Sequence, residues 1–70
     1  MDVVAPWPGV VSEIKVAVGD AVVEEQEVLI LESMKVLTPV HSPRAGTVES
    51  IAVEPGMYVE ERALLLRLRT

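Results

Sequence analysis

Glu32-Ser33-Met34-Lys35-Val36 stands at the centre of a 70-residue chain, and the half before it resembles the half after it. Sliding the chain along itself by 37 positions, the distance from Val3 to Val40, superposes Pro6 on Pro43, Gly9 on Gly46, Val11 on Val48 and Ile14 on Ile51. The same offset places Val16 on Val53, Gly19 on Gly56, Val22 on Val59, Glu24 on Glu61 and Leu31 on Leu68. No gap is needed, and the matches include the Pro and Gly residues that set backbone turns. Two copies are too few for a solenoid, which needs at least three to bury its faces. The repeat therefore predicts one domain with pseudo-two-fold symmetry, spanning residues 1–70. Ser33 to Pro39 read as the bridge between the copies, with a lysine at its tip.

Working outward, the composition fixes what holds such a domain together. There is no cysteine, so neither a disulfide framework nor a thiolate zinc site staples it. The core must come from Val, Leu, Ile and Ala, since the chain has no Phe, one Trp and one Tyr. A chain this short buries only about 60% of the surface it exposes when unfolded, so modest stability is expected. With Trp7 and Tyr58 as the sole aromatics, a platform for stacked bases is not expected. Eleven acidic residues against six basic ones, net −5, would repel a phosphate backbone. No apolar run approaches the roughly 18 residues of a membrane span, and no basic-then-apolar leader opens the chain. These readings predict a soluble, acidic, monomeric domain with no nucleic-acid or membrane partner. The absence of cysteine suits the cytoplasm or an organelle matrix.

Beta-branched residues and turn signals dominate, and no capped amphipathic helix is visible. Strands are predicted at 2–5, 10–16, 22–23 and 28–32, and again at 36–40, 47–53, 58–59 and 64–69. Pro6 to Gly9, Val18 to Ala21, His41 to Gly46 and Pro55-Gly56 are the turns between them. In the second predicted strand Ser12 and Glu13 interrupt the alternation, and Lys15 points outward. Pro39 confines its strand to an edge or a bulge. In the last strand Leu64, Leu66 and Leu68 alternate with Leu65, Arg67 and Arg69, as in a strand with one buried face. Glu24, Glu25, Glu27, Glu60 and Glu61 read as solvated charge at two matching bends rather than as metal ligands. His41, the only histidine, reads as structural or solvated. Short strands at regular spacing predict an all-β sandwich or barrel built from two small sheets.

A lysine at the tip of a tight hairpin holds its amine in water. Such an amine is protonated at neutral pH and is a poor nucleophile; catalytic lysines need burial or a neighbouring cation. Nothing near Lys35 in the sequence offers either, and Glu32 would hold the charge. Lys35 therefore suits the role of a substrate, an amine presented to another enzyme that supplies the base and an activated acyl group. Met34, read as exposed beside it, is a flexible thioether suited to transient contacts.

These residues resemble a known family. Glu32-Ser33-Met34-Lys35, centred between two half-motifs, looks like the biotinyl domain of biotin-dependent carboxylases. Ala5-Pro6-Trp7-Pro8-Gly9-Val10-Val11 is similar to that family's opening Ala-Pro-Met-Pro-Gly segment. Val18-Gly19-Asp20-Ala21-Val22 and Gly46-Thr47-Val48 also match. The resemblance implies a flattened β-barrel, or barrel-sandwich hybrid, of two four-stranded antiparallel sheets. It implies that a biotin protein ligase joins biotin to Lys35 through an amide, with Glu32, Ser33, Met34 and Val36 flanking the attachment point. It implies further a carrier with no active site of its own, working between a biotin carboxylase and a carboxyltransferase. The family usually has Met where Val36 stands, and its flanking methionines are associated with turnover of the attached biotin more than with attachment. It often has Gly where Glu25 and Arg62 stand, which we read as a bend that tolerates side chains. Trp7 replaces the usual Met, either as a partly buried loop aromatic or as a residue near the hairpin. No inserted thumb separates Val16 from Val28, which points towards acyl-CoA or pyruvate-type carboxylases. Two other readings stay open. The lipoyl domain of 2-oxoacid dehydrogenases shares the expected fold and lysine position, although Met34 is not what it usually shows. An unmodified structural module of the same fold needs no Met-Lys pair and normally continues into long helices.

Overall fold

The computed structural model describes residues 1–70. It contains eight strands and no helix: β1 (Asp2–Val4), β2 (Gly9–Ile14), β3 (Ala21–Val22), β4 (Glu27–Ser33), β5 (Val36–His41), β6 (Gly46–Ile51), β7 (Tyr58–Val59) and β8 (Leu64–Arg69). They form two four-stranded sheets ordered β1-β8-β6-β3 and β5-β4-β2-β7, with every neighbouring pair antiparallel. This is the expected pair of sheets in a flattened barrel-sandwich arrangement. The two copies of the repeat are interleaved. Each sheet takes its inner pair from one copy (β4 and β2, or β8 and β6) and its two edges from the other.

The offset of 37 governs the hydrogen bonds as well as the residues. Val11 faces Leu31 and Val48 faces Leu68; Ile14 faces Leu29 and Ile51 faces Leu66. The loop bonds pair in the same way. Gly56 N–H donates to Val11 O at 2.7 Å and Gly19 N–H to Val48 O at 2.8 Å. Arg62 N–H donates to Ala5 O at 2.7 Å and Glu25 N–H to Ser42 O at 2.8 Å. Each tie spans the gap between strands that are not neighbours in sequence, so the two copies hold each other closed.

Fifteen buried apolar residues form one core between the sheets, among them Val11, Leu29, Leu31, Val48, Leu65, Leu66 and Leu68. Burying each Val or Leu side chain contributes about 1.5–3 kcal/mol, the main favourable term in a chain without staples. Ser42, fully buried where the first copy has Ala5, donates from Oγ to Arg44 O at 2.6 Å, which satisfies its hydroxyl.

Four details differ from the sequence reading, each for a physical reason. The break at Ser12 and Glu13 is a β-bulge: Val11 pairs with Leu31 and Glu13 with Ile30, leaving Ser12 extra. Two consecutive side chains then face solvent. Its twin is Glu49, between Val48 and Ser50. Leu65 is buried beside Leu66, not on an outward face. Val4 pairs with Leu64 and Val3 with Leu66, so Leu65 is itself an extra residue that turns inward, as Val28 does between Glu27 and Leu29. The bridge between copies is shorter than Ser33 to Pro39. Ser33 belongs to β4 and Pro39 to β5, where it pairs with Ile30 as Asp2 pairs with Arg67. Pro39 does lie on an edge strand, where its missing N–H costs no ladder bond.

The fourth detail concerns the bends. Glu25 has φ 72° and Arg62 φ 71°, the left-handed region that favours glycine. The bend therefore accommodates side chains at a cost, about 1–2 kcal/mol per non-glycine residue.

Candidate attachment site

Antiparallel β4 and β5 are joined by a turn of two residues. Ser33 pairs with Val36 at its base, and Met34 and Lys35 form the loop with φ of 51° and 65°. Two positive φ values are the signature of the type I′ turn, which matches the right-handed twist of the flanking strands and usually carries Asn-Gly. Here two long L-side chains occupy it. Such backbone strain gathers where surrounding structure over-determines it, and a six-pair ladder between β4 and β5 does so here.

The turn throws its side chains clear of the body. Met34 is 93% exposed, and Val36 and Leu37 on the next strand are 60% and 59% exposed. Lys35 is exposed and joins no ion pair; those present are Lys15–Glu27, Arg67–Asp2 and Arg69–Glu49. The expected charge contact from Glu32 is therefore not formed. Glu32 lies in the β4 ladder, opposite Leu37 on one side and Val10 on the other, while Lys35 stands at the tip. Ser33 is half-buried at the base of the turn. An exposed amine on a short, strongly supported turn fits covalent attachment of an acyl group: it is accessible and nothing competes for it.

The β1–β2 loop flanks this turn. A Cβ built on Gly9 would lie 2.8 Å from Glu32 O and 3.6 Å from Ser33 Cβ. Only glycine permits so close an approach, and it brings the end of the Pro6-Trp7-Pro8 segment to the hairpin's base. Trp7 is half-buried and packs on the core. Trp7 is thus a partly buried loop aromatic, two residues from the glycine that packs on the hairpin's base.

One feature of the site has no signal in the local sequence. Across the β4-centred sheet, Leu37, Glu32, Val10 and Tyr58 fall in a single cross-strand row. All four are exposed. The row brings three apolar side chains to the outer face just behind the turn. It depends on the register of three separate strand pairs, which no local pattern reveals.

Comparison with known proteins decides the family. Residues 1–68 match the family described as "Biotin-requiring enzyme". The chain belongs to it. Among its relatives, the human mitochondrial propionyl-CoA carboxylase alpha chain is 41% identical over 64 residues, covering 91% of this chain and 9% of the relative. The biotin carboxyl carrier protein of Streptococcus mutans is 44% identical over 55 residues, 79% of this chain and 42% of that protein. Mouse mitochondrial pyruvate carboxylase is 42% identical over 64 residues, 91% of this chain and 5% of the relative. Among solved structures, the Kluyveromyces lactis urea carboxylase superposes with a TM-score of 0.92 at 28% identity, covering 99% of this chain and 6% of that one. By family and relatives the chain is a biotin carboxyl carrier domain, and it spans less than half the length of these relatives.

Proposed function

We propose that Lys35 is the residue to which biotin is joined, and that the domain carries a carboxyl group on it between a biotin carboxylase and a carboxyltransferase. The observation that carries this reading is the two-residue turn that holds Lys35 exposed, unpaired and clear of the body. The ureido ring of biotin supplies the carboxyl-accepting nitrogen; this chain supplies the amine, the turn that presents it and the body that anchors the turn. The domain performs no chemistry on its own in this reading. Its Lys35 amine has neither the burial nor the neighbouring cation that would make it a nucleophile by itself.

The residues around Lys35 take supporting roles. Met34 and Val36 flank the amine with flexible and branched apolar surface, suited to a biotin protein ligase that must grip the turn without distorting it. Glu32 and Ser33 set the ladder that fixes the turn's base. The advantage of attachment is effective concentration. A tethered group meets a second site at about millimolar effective concentration without being released between steps. The carboxylase names of the relatives support the two partner activities, which act as separate domains or subunits.

The test is co-expression with a biotin protein ligase and excess biotin, followed by intact mass and peptide mapping. Lys15 is the only other lysine and sits in a 3.5 Å ion pair with Glu27. A single biotinyl adduct on Lys35, abolished in Lys35→Arg, is the expected result. No adduct on a folded chain overturns the reading, and lipoate ligase is then the assay to repeat.

A further inference from the structure

The edge strands β1 and β5 belong to opposite sheets and are related by the 37-residue offset, Val3 to Val40. Between them lies a cleft of about 390 Å³ lined in part by Asp2 and Val4 from β1, Trp7 from the adjoining loop, Pro39 and His41 from β5, and Pro43. The size falls within the range of pockets that bind small molecules. Its lining is mixed. Trp7, Val4 and three rigid proline rings, Pro6 among them, form apolar walls, while Asp2 and His41 place polar atoms at the rim. The cleft is asymmetric although it lies between symmetry-related strands: Trp7 lines it, and Arg44, its partner in the repeat, does not.

The cleft is close to the lysine turn by two routes. Through the loop, Trp7 is two residues from Gly9, which packs on Glu32 and Ser33. Along β5, Pro39 is four residues from Lys35, about 13 Å at 3.3 Å per residue. A lysine side chain extended by biotin's acyl chain has eleven bonds of about 1.5 Å each between the Cα atom and the ring. That length covers the distance.

We propose that this cleft is a resting site for the bicyclic head of biotin borne on Lys35. The proposal rests on attachment at Lys35. The head is amphipathic, with a sulfur-containing ring on one side and a ureido group on the other. The ring lies against the Trp7 indole and the proline faces. The ureido N–H groups point to the rim, where Asp2 offers a carboxylate oxygen; its Oδ1 already accepts from Arg67 Nε at 2.9 Å, leaving Oδ2. His41, exposed at the end of β5, offers an imidazole to the ureido carbonyl. Because the ligand is tethered, weak contacts suffice to occupy the cleft, and the same weakness lets a partner enzyme draw the head out.

The experiment uses the domain biotinylated by the ligase, with the single adduct on Lys35 first verified by mass. Failure at that stage overturns attachment itself, and is distinct from failure of the resting site. On the verified adduct, NMR cross-peaks between biotin ring protons and Trp7, Pro39 or His41 are expected. Trp7 is the only tryptophan, so its fluorescence should also change on biotinylation. Trp7→Leu, with its fold checked by amide spectra, should lose the remaining cross-peaks and speed capture of the head by streptavidin severalfold. Amide shifts confined to Ser33–Val36, with no cross-peak to the cleft and no change in Trp7 emission, overturn the proposal. So does an unchanged capture rate in a folded Trp7→Leu domain.

Discussion

The two sheets have the same backbone and different outer faces. Behind the lysine turn, the β4-centred sheet carries the row Leu37–Glu32–Val10–Tyr58. At the equivalent positions the β8-centred sheet carries Arg69, Thr47 and Ala21, paired in the same register. Charge follows the same division. Strands of the first sheet contain Glu13, Glu27 and Glu32 and no arginine or lysine; those of the second contain Asp2 and Glu49 with Arg67 and Arg69, joined as ion pairs. Interior positions obey the symmetry closely and exterior ones do not. Since the fold is satisfied equally by both faces, what distinguishes the β4-centred face is not needed for folding.

The symmetry can be broken most severely from inside. Leu31→Ala and Leu68→Ala remove equivalent, fully buried side chains. Each should cost about 2–5 kcal/mol, measured by urea unfolding, and the two costs should agree within about 1 kcal/mol if the cores are equivalent. Unequal losses would show that one half carries more of the stability.

A milder break comes from the paired glycines. A Cβ on Gly9 would meet Glu32 O at 2.8 Å, and one on Gly46 would meet Arg69 O at 2.7 Å. Both Gly→Ala changes should destabilise by about 1–3 kcal/mol, read from the same unfolding curves. Gly9→Ala should in addition slow biotinylation of Lys35, because it pushes on the base of the turn; Gly46→Ala should leave that rate unaltered. Equal effects on modification would remove the functional distinction between the two ends.

The bends at Glu25 and Arg62 sharpen the comparison in the opposite direction. Replacing either residue with glycine relieves a left-handed side chain and should stabilise by about 1 kcal/mol. For a domain of this size that corresponds to a rise in Tm of about 4–8 °C. Calorimetry of the two single variants should give matching increments, and the double variant their sum. A fall in Tm would mean that these side chains contribute more than their backbone costs.

The smallest effect on stability, within about 0.5 kcal/mol, is expected for Leu37→Ser and Tyr58→Ser on the outer row. Thr47→Ser on the other face is the matched control. Ligase-catalysed biotinylation, followed by mass against time, should slow for the first two and not for the third. No difference among the three would mean that the row is surface without a role in presenting the turn.

Much of this organisation is legible in the chain. The offset of 37 already contains the two sheets, the glycine approaches and the central place of Lys35, because a duplicated backbone must reuse the same turn residues. Strand positions follow from alternation, and where alternation fails at Ser12 and Leu65 the cause is a bulge, an extra residue that a periodic pattern registers only as noise. The left-handed conformation at Glu25 and Arg62 is hidden because neither is glycine. The outer row and the cleft are hidden for another reason. Leu37, Val10 and Tyr58 are neighbours only through three long-range pairings, and the cleft is the space left between two strands that do not pair. Local sequence does not encode either.

A two-residue turn has almost no slack. With Met34 and Lys35 both held at fixed positive φ above a closed ladder, the backbone beneath the amine acts as a rigid fulcrum, and the sweep of anything joined to it is set by the side chain alone. The carried head therefore explores the space inside a shell about one point, its radius set by the length of the arm. Two stations farther apart than that shell's diameter are served only if the whole domain travels, so the distance between partner sites dictates how the domain must be mounted.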